Sequence, residues 1–196
     1  MNNNFFATNS YFIDEKVNIF KFENCYNVFN DQGQNIGAVK QKLSVGDKFL
    51  RILLNKAMLP FLLEIKNNED QLVVSISRGW TFFMSKITIK NAQGETIGSI
   101  KQKFKLLKPS FRIFNSNEEQ IAEINGDWKA WNFKIFNASE EQIGTISKKW
   151  AGAMKELFTS ADKYNVTIDA NYSNIENKIV ILAGAITIDM VLKESK

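Results

Sequence analysis

"FRIFNSNEEQIAEINGDW" at residues 111–128 and "FKIFNASEEQIGTISKKW" at 133–150 are two versions of one pattern. Three further copies precede them: "YNVFNDQGQNIGAVKQKL" at 26–43, "LEIKNNEDQLVVSISRGW" at 63–80 and "ITIKNAQGETIGSIKQKF" at 87–104. Each copy opens with alternating apolar residues, reaches an Asn, crosses a polar cluster of Gly, Asp, Ser or Glu, and resumes with aliphatic residues. That is the pattern of strand, turn, strand. The chain therefore builds one hairpin after another.

The spacing within the copies is strict. Asn30, Asn67, Asn91, Asn115 and Asn137 each stand seven residues before Gly37, Val74, Gly98, Ala122 and Gly144. Asn suits the mouth of a turn because its side chain bonds backbone two residues on and it tolerates left-handed geometry. Two residues past the Gly/Ala position comes an aliphatic residue (Val39, Ile76, Ile100, Ile124, Ile146), and four further on a bulky one (Leu43, Trp80, Phe104, Trp128, Trp150). Even offsets place all three on one face of a regular strand, which is expected to point inward. The small positions then require something thick opposite them.

Five hairpins supply ten strands, and "YFIDEKVNIFKF" before them and "YNVTIDA" after them add one each. About twelve antiparallel strands close more readily than they stay open, so the fold class is mainly β, a closed barrel. Two segments are helical instead. "SKKWAGAMKELFTSADKY" (147–164) places Trp150, Met154, Leu157 and Phe158 at helical spacing and predicts a short amphipathic helix outside the sheet. Within 177–195, the stretch from Ile179 to Leu192 is apolar on every side except for Thr187 and Asp189. Such a helix is a membrane span or a buried core helix. Its fourteen residues rise only about 21 Å against a hydrocarbon core of roughly 30 Å, and it contains a carboxylate. It is expected to thread the barrel, with Ala183, Gly184 and Ala185 matching the small positions on the strands, and with Asp189 satisfied by backbone amides or solvent at the barrel mouth.

Composition narrows the chemistry. With 196 residues and 44% apolar content, the chain reads as one domain over 1–196, with residues 1–10 expected to be disordered. The net charge of +4 is mild, and Arg51, Arg78 and Arg112 are the only arginines, which speaks against nucleic acid as a partner. One cysteine excludes an internal disulfide and a multi-thiolate zinc site. The absence of histidine removes the usual base near neutral pH and every Ser-His or Cys-His pair, so no enzyme and no catalytic residues are expected. The amino end lacks a basic region followed by an apolar run, so no secretory signal is read and the expected location is cytoplasmic, possible also at a membrane surface.

With these residues in view, the chain resembles the phospholipid scramblase family of the Tubby-like and LURP-one-related group. The resemblance lies in "IGTISKKWAGAMKELFTSADKYNVTI" and "KIVILAGAITIDMVLKES", through Ile146, Ser147, Lys148, Trp150, Gly152, Glu156, Phe158, Thr159, Ala161, Asp162, Ile188, Asp189 and Glu194. It is specific over 143–194, and the hairpin rhythm extends it to about residue 17. It implies a twelve-stranded barrel around a C-terminal helix, phospholipid or a membrane surface as partner, and lipid movement between leaflets as activity. Departures are as informative. The proline-rich arm and cysteine cluster of eukaryotic members are missing, with only Pro60, Pro109 and Cys25 present. In the family's proposed calcium segment, Ser160, Asn171 and Ser173 replace acids, leaving Asp162, Asp169 and Asn171 as calcium candidates. Calcium needs six or more oxygens, and a strand-like stretch without a turn glycine supplies them poorly; no other cofactor is expected. For lipid contact the candidates are Lys56, Met58, Leu59 and Phe61 of "LNKAMLPFLL". The alternative is a soluble, non-enzymatic scaffold or ligand-binding barrel that recruits a protein partner.

Overall fold

The computed structural model describes residues 4–16, 25–43, 58–80, 86–103, 110–127, 129–148 and 163–194. Twelve strands run through them: β1 Ser10–Lys16, β2 Cys25–Phe29, β3 Asn35–Lys42, β4 Phe61–Asn67, β5 Leu72–Arg78, β6 Lys86–Asn91, β7 Thr96–Lys103, β8 Ser110–Asn115, β9 Gln120–Asp127, β10 Asn132–Asn137, β11 Gln142–Ser147 and β12 Lys163–Ile168. Each pairs antiparallel with its neighbours in sequence, and β1 pairs with β12 as well as β2, so the sheet closes without an edge. Among the described residues one α-helix, α1, spans Ile175–Glu194.

The five repeat turns share one chemistry. In each, the Asn side-chain oxygen accepts from the backbone N–H groups two and four residues on, at 2.9 to 3.1 Å. Its amide nitrogen donates to the side chain of residue five of the turn: Gln34, Gln71, Glu95, Glu119 or Glu141. That constant Gln/Glu is a signal the sequence reading passed over. Residue four of every turn is left-handed: Gly33 (φ 75°), Asp70 (60°), Gly94 (84°), Glu118 (62°) and Glu140 (64°). For a residue with a Cβ this costs about 1 kcal/mol. Asp70 and Glu118 gain lysine partners there, whereas Glu140 makes no ion pair among the described residues. Glu140→Gly is therefore expected to stabilise the fold by about 0.5 kcal/mol, glycine's greater unfolded freedom offsetting part of the relief. A urea midpoint that falls on this substitution would contradict the strain argument.

Alternation puts Ile13, Val28, Val39, Leu63, Ile65, Ile76, Ile89, Ile113, Ile124, Ile135 and Val166 inside, each at most 1% exposed. The helix fills the space they enclose. From Val180 to Ile188 nine consecutive residues are buried, two and a half turns, so every face of α1 meets protein. Small residues face branched ones here rather than each other, and Gly37 and Gly144 meet neighbouring strands instead of the helix. A Cβ on Gly98 of β7 would lie 2.5 Å from Val180 Cγ1, and one on Gly184 would lie 2.9 Å from Ile113 Cδ1. Thr187, the polar interruption, donates its hydroxyl to Ala183 O at 2.7 Å within the helix.

Two details differ from the sequence expectation. Trp80 is 53% exposed rather than inward, because β5 ends at Arg78 and the strand alternation stops before it. Leu43 is half-buried, while Phe104, Trp128 and Trp150 lie outside the described residues, as does most of the 147–164 helix. Residues 4–10, expected to be disordered, instead hold a short 3-10 turn at Asn4–Phe6 with Phe5 buried beside Tyr11, ring centroids 6.0 Å apart.

Candidate functional site

Chain direction divides the barrel into two unlike ends. The five Asn turns, the amino-terminal segment leading into β1 and the 169–174 connection into α1 lie together at one, the turn end. The longer connections lie at the other, the loop end.

At the turn end, helix entry is built locally. Asn174 caps α1, its Oδ1 accepting from Asn177 N at 2.9 Å. Lys178 follows, only 7% exposed, and its ammonium donates to Thr8 O at 2.9 Å and Asn9 Oδ1 at 2.6 Å. Burial holds its pKa below the usual lysine value. The outer side of this end is carboxylate-rich. Hydrogen bonds from Lys86 and Lys101 hold the Glu118 carboxyl down at about 2, and those from Lys40 and Lys66 lower Asp70. Two clefts of about 470 and 490 Å³ open here, one between residues 7–10 and the first turn, the other between the fourth and fifth turns and residues 172–177. Amides and hydroxyls line them, with Asp31, Glu119 and Glu176. Neither places a nucleophile against a base.

The calcium candidates fall at this end or beyond view. Asp169 spends its Oδ1 on Asn171 N at 2.9 Å, closing the turn before α1, and Asn171 is exposed. Asp162 lies outside the described residues. No group of three or more carboxylates or thiolates suited to a metal gathers among the described residues.

The loop end is apolar and basic. Of the lipid-contact candidates, Met58 is half-buried, Leu59 and Phe61 are 2% and 4% exposed and turned inward, and Lys56 lies outside the described residues. The strand period explains this: Phe61, Leu63 and Ile65 share the inner face of β4, which leaves Leu62 outside, 37% exposed. Lys42 is its Cα partner on β3 and is itself exposed, 3.4 Å from Glu64. Trp80 stands past the end of β5 at the same end. Trp131, ahead of β10, takes a left-handed φ of 49°, rare for a bulky residue. Its ring packs against Tyr164 at 5.5 Å and Phe133 at 6.0 Å, with the Lys148 ammonium 4.7 Å over its face. Arg78 is buried inside this end, donating to Leu59 O at 2.7 Å and lying over the Phe61 ring.

Between the ends, outward strand positions carry Lys40, Lys66, Lys101, Arg112 and Lys134, the reverse of a membrane barrel, whose outward band is apolar. Among the described residues no helix is long and apolar enough to cross a membrane.

The fold is thus a closed antiparallel barrel whose bore is occupied by its own C-terminal helix. The chain belongs to the Scramblase family, whose model matches residues 13–195. The X-ray structure of a protein from Arabidopsis thaliana is similar in fold, with a TM-score of 0.51 over 93% of this chain and 95% of that one. Sequence identity is 10%, so the likeness concerns architecture alone. A search of curated proteins gives no match.

Proposed function

We propose that the protein is a non-enzymatic barrel that binds phospholipid at a membrane surface, and that lipid does not pass through its interior. Membership of the Scramblase family supports the lipid. The observation that carries the surface mode is the filled bore: Val180 through Ile188 are buried against the inner faces of the strands and occupy that stretch of the axis with apolar side chains, Thr187 excepted. A headgroup moved through that space would lose its hydration without compensating hydrogen bonds, at several kcal/mol per polar group. Contact therefore falls to exposed side chains, with the protein peripheral to the membrane from the cytoplasmic side. On this reading the contact side chain of β4 is the outward Leu62 beside Lys42, in place of the inward Leu59 and Phe61.

Flotation of the purified protein with phosphatidylcholine vesicles, with and without phosphatidylglycerol, tests the reading. Binding to the anionic vesicles that weakens at high salt is expected, since exposed charges are screened. No flotation with either vesicle at low salt, with or without calcium, removes lipid and leaves a scaffold for a protein partner.

A further inference from the structure

Two properties that do not depend on each other divide the barrel along its axis in the same sense. The first is charge. Every one of the five turns carries at least one carboxylate, and neither they nor the 169–174 connection contains a lysine or arginine. Glu119, Glu140 and Glu141 are exposed there, whereas Asp70 and Glu118 are each held by two lysines of the barrel wall. Among the described residues the loop end has the opposite sign: Lys42, Lys129 and Lys148 stand at strand ends there. The chain's mild net charge of +4 thus conceals an acidic end and a basic end.

The second property is the placement of tryptophan. The two tryptophans among the described residues, Trp80 and Trp131, both stand at the loop end, and neither stands in one of the five Asn turns. Trp80 is 53% exposed and Leu62 37%. Tryptophan with lysine is the combination that settles at the boundary between headgroups and acyl chains, the ring at headgroup depth and the ammonium on phosphate. The Trp80 ring buries a large apolar area when covered.

We infer that the protein docks end-on, its loop end against an anionic phospholipid surface through Trp80, Leu62 and Lys42, with the carboxylate-lined turn end held away. This rests on the phospholipid reading above and adds which end touches and which lipid charge is chosen. The field of an anionic surface attracts one end of the barrel and repels the other, so orientation is set before contact. Apolar insertion of Trp80 and Leu62 then holds what the charge has steered.

The position of the tryptophans supplies the readout. Vesicles of equimolar phosphatidylcholine and phosphatidylglycerol, with bromine in the acyl chains, should quench the intrinsic fluorescence of bound protein, and unbrominated vesicles should not. The doubly substituted Trp80→Ala, Leu62→Ser protein is expected to keep its circular dichroism and unfolding midpoint, because both side chains are exposed, and to bind these vesicles about tenfold more weakly. Glu118→Lys with Glu140→Lys at the turn end should bind no more weakly than wild type. Binding without quenching, or with the Trp80 and Leu62 substitutions silent, overturns the end-on inference while the phospholipid reading stands. Equal binding to pure phosphatidylcholine overturns the charge choice. Absence of all vesicle binding ends both, and Trp80-dependent self-association in sedimentation would then assign the patch to a second copy of the chain.

Discussion

Removal of residues 175–196 is expected to leave a chain with no cooperative unfolding transition. Val180, Ile181, Leu182, Ala183, Ala185, Ile186 and Ile188 are each at most 1% exposed, and the facing side chains of the strands lose their cover with them. At about 1.5–3 kcal/mol for each large side chain buried, the helix contributes on the order of 10 kcal/mol. That equals the whole stability of an ordinary domain, about 5–15 kcal/mol. The truncated chain should show a broad, non-cooperative urea response and bind a hydrophobic dye. A sharp transition near the full-length midpoint would mean that the helix is an appendage rather than the core. The same experiment separates a core helix from an anchor, since an anchor can be removed without unfolding what it anchors.

Gly98→Val should be the most damaging single substitution where a strand meets α1. Valine suits strands, so no propensity loss is involved. The new Cβ would stand 2.5 Å from Val180 Cγ1 and 2.6 Å from the Phe114 carbonyl oxygen. Neither can yield: Val180 is fully buried, and the carbonyl belongs to the neighbouring strand β8. Overpacking of this kind costs about 3 kcal/mol. Gly184→Ala is the matched control. Its nearest obstacle is the tip of Ile113, 2.9 Å away, and alanine favours helix over glycine by about 1 kcal/mol. Its urea midpoint should stay close to wild type while that of Gly98→Val falls well below it. Equal midpoints for the two would remove β7 from the wall against which α1 packs.

Architecture was legible because the repeat is a register device. A fixed seven residues from Asn to Gly/Ala can be kept only if every turn is built alike, and the Asn side chain bonding two and four residues on is what builds it. Gly98 and the small centre of α1 were readable as places of close approach, but their partners were not, since each meets a branched side chain, Val180 or Ile113, rather than the other. Trp80 was not, because nothing in the repeat marks where β5 stops, and a residue two positions past a strand end no longer obeys the alternation. Leu59 and Phe61 were named for lipid contact on hydrophobicity, but their facing depends on the strand starting at Phe61, which the apolar run "MLPFLL" leaves ambiguous. The Lys178 tie to Thr8 and Asn9 spans nearly the whole chain and has no local signature. The opposed charge of the two ends was hidden for a different reason: acidic and basic segments alternate along the sequence, and only the up-and-down topology sorts them.

Transbilayer movement of a fluorescent phospholipid, followed by its accessibility to dithionite in vesicles carrying the bound protein, bears most directly on a barrel that meets lipid at its surface and keeps its bore filled. The rate should match that of protein-free vesicles, even under conditions where flotation shows the protein bound and with calcium added. Acceleration that rises with the amount of bound protein would contradict the filled bore, and would mean that α1 leaves the barrel or that lipid crosses along its outer wall.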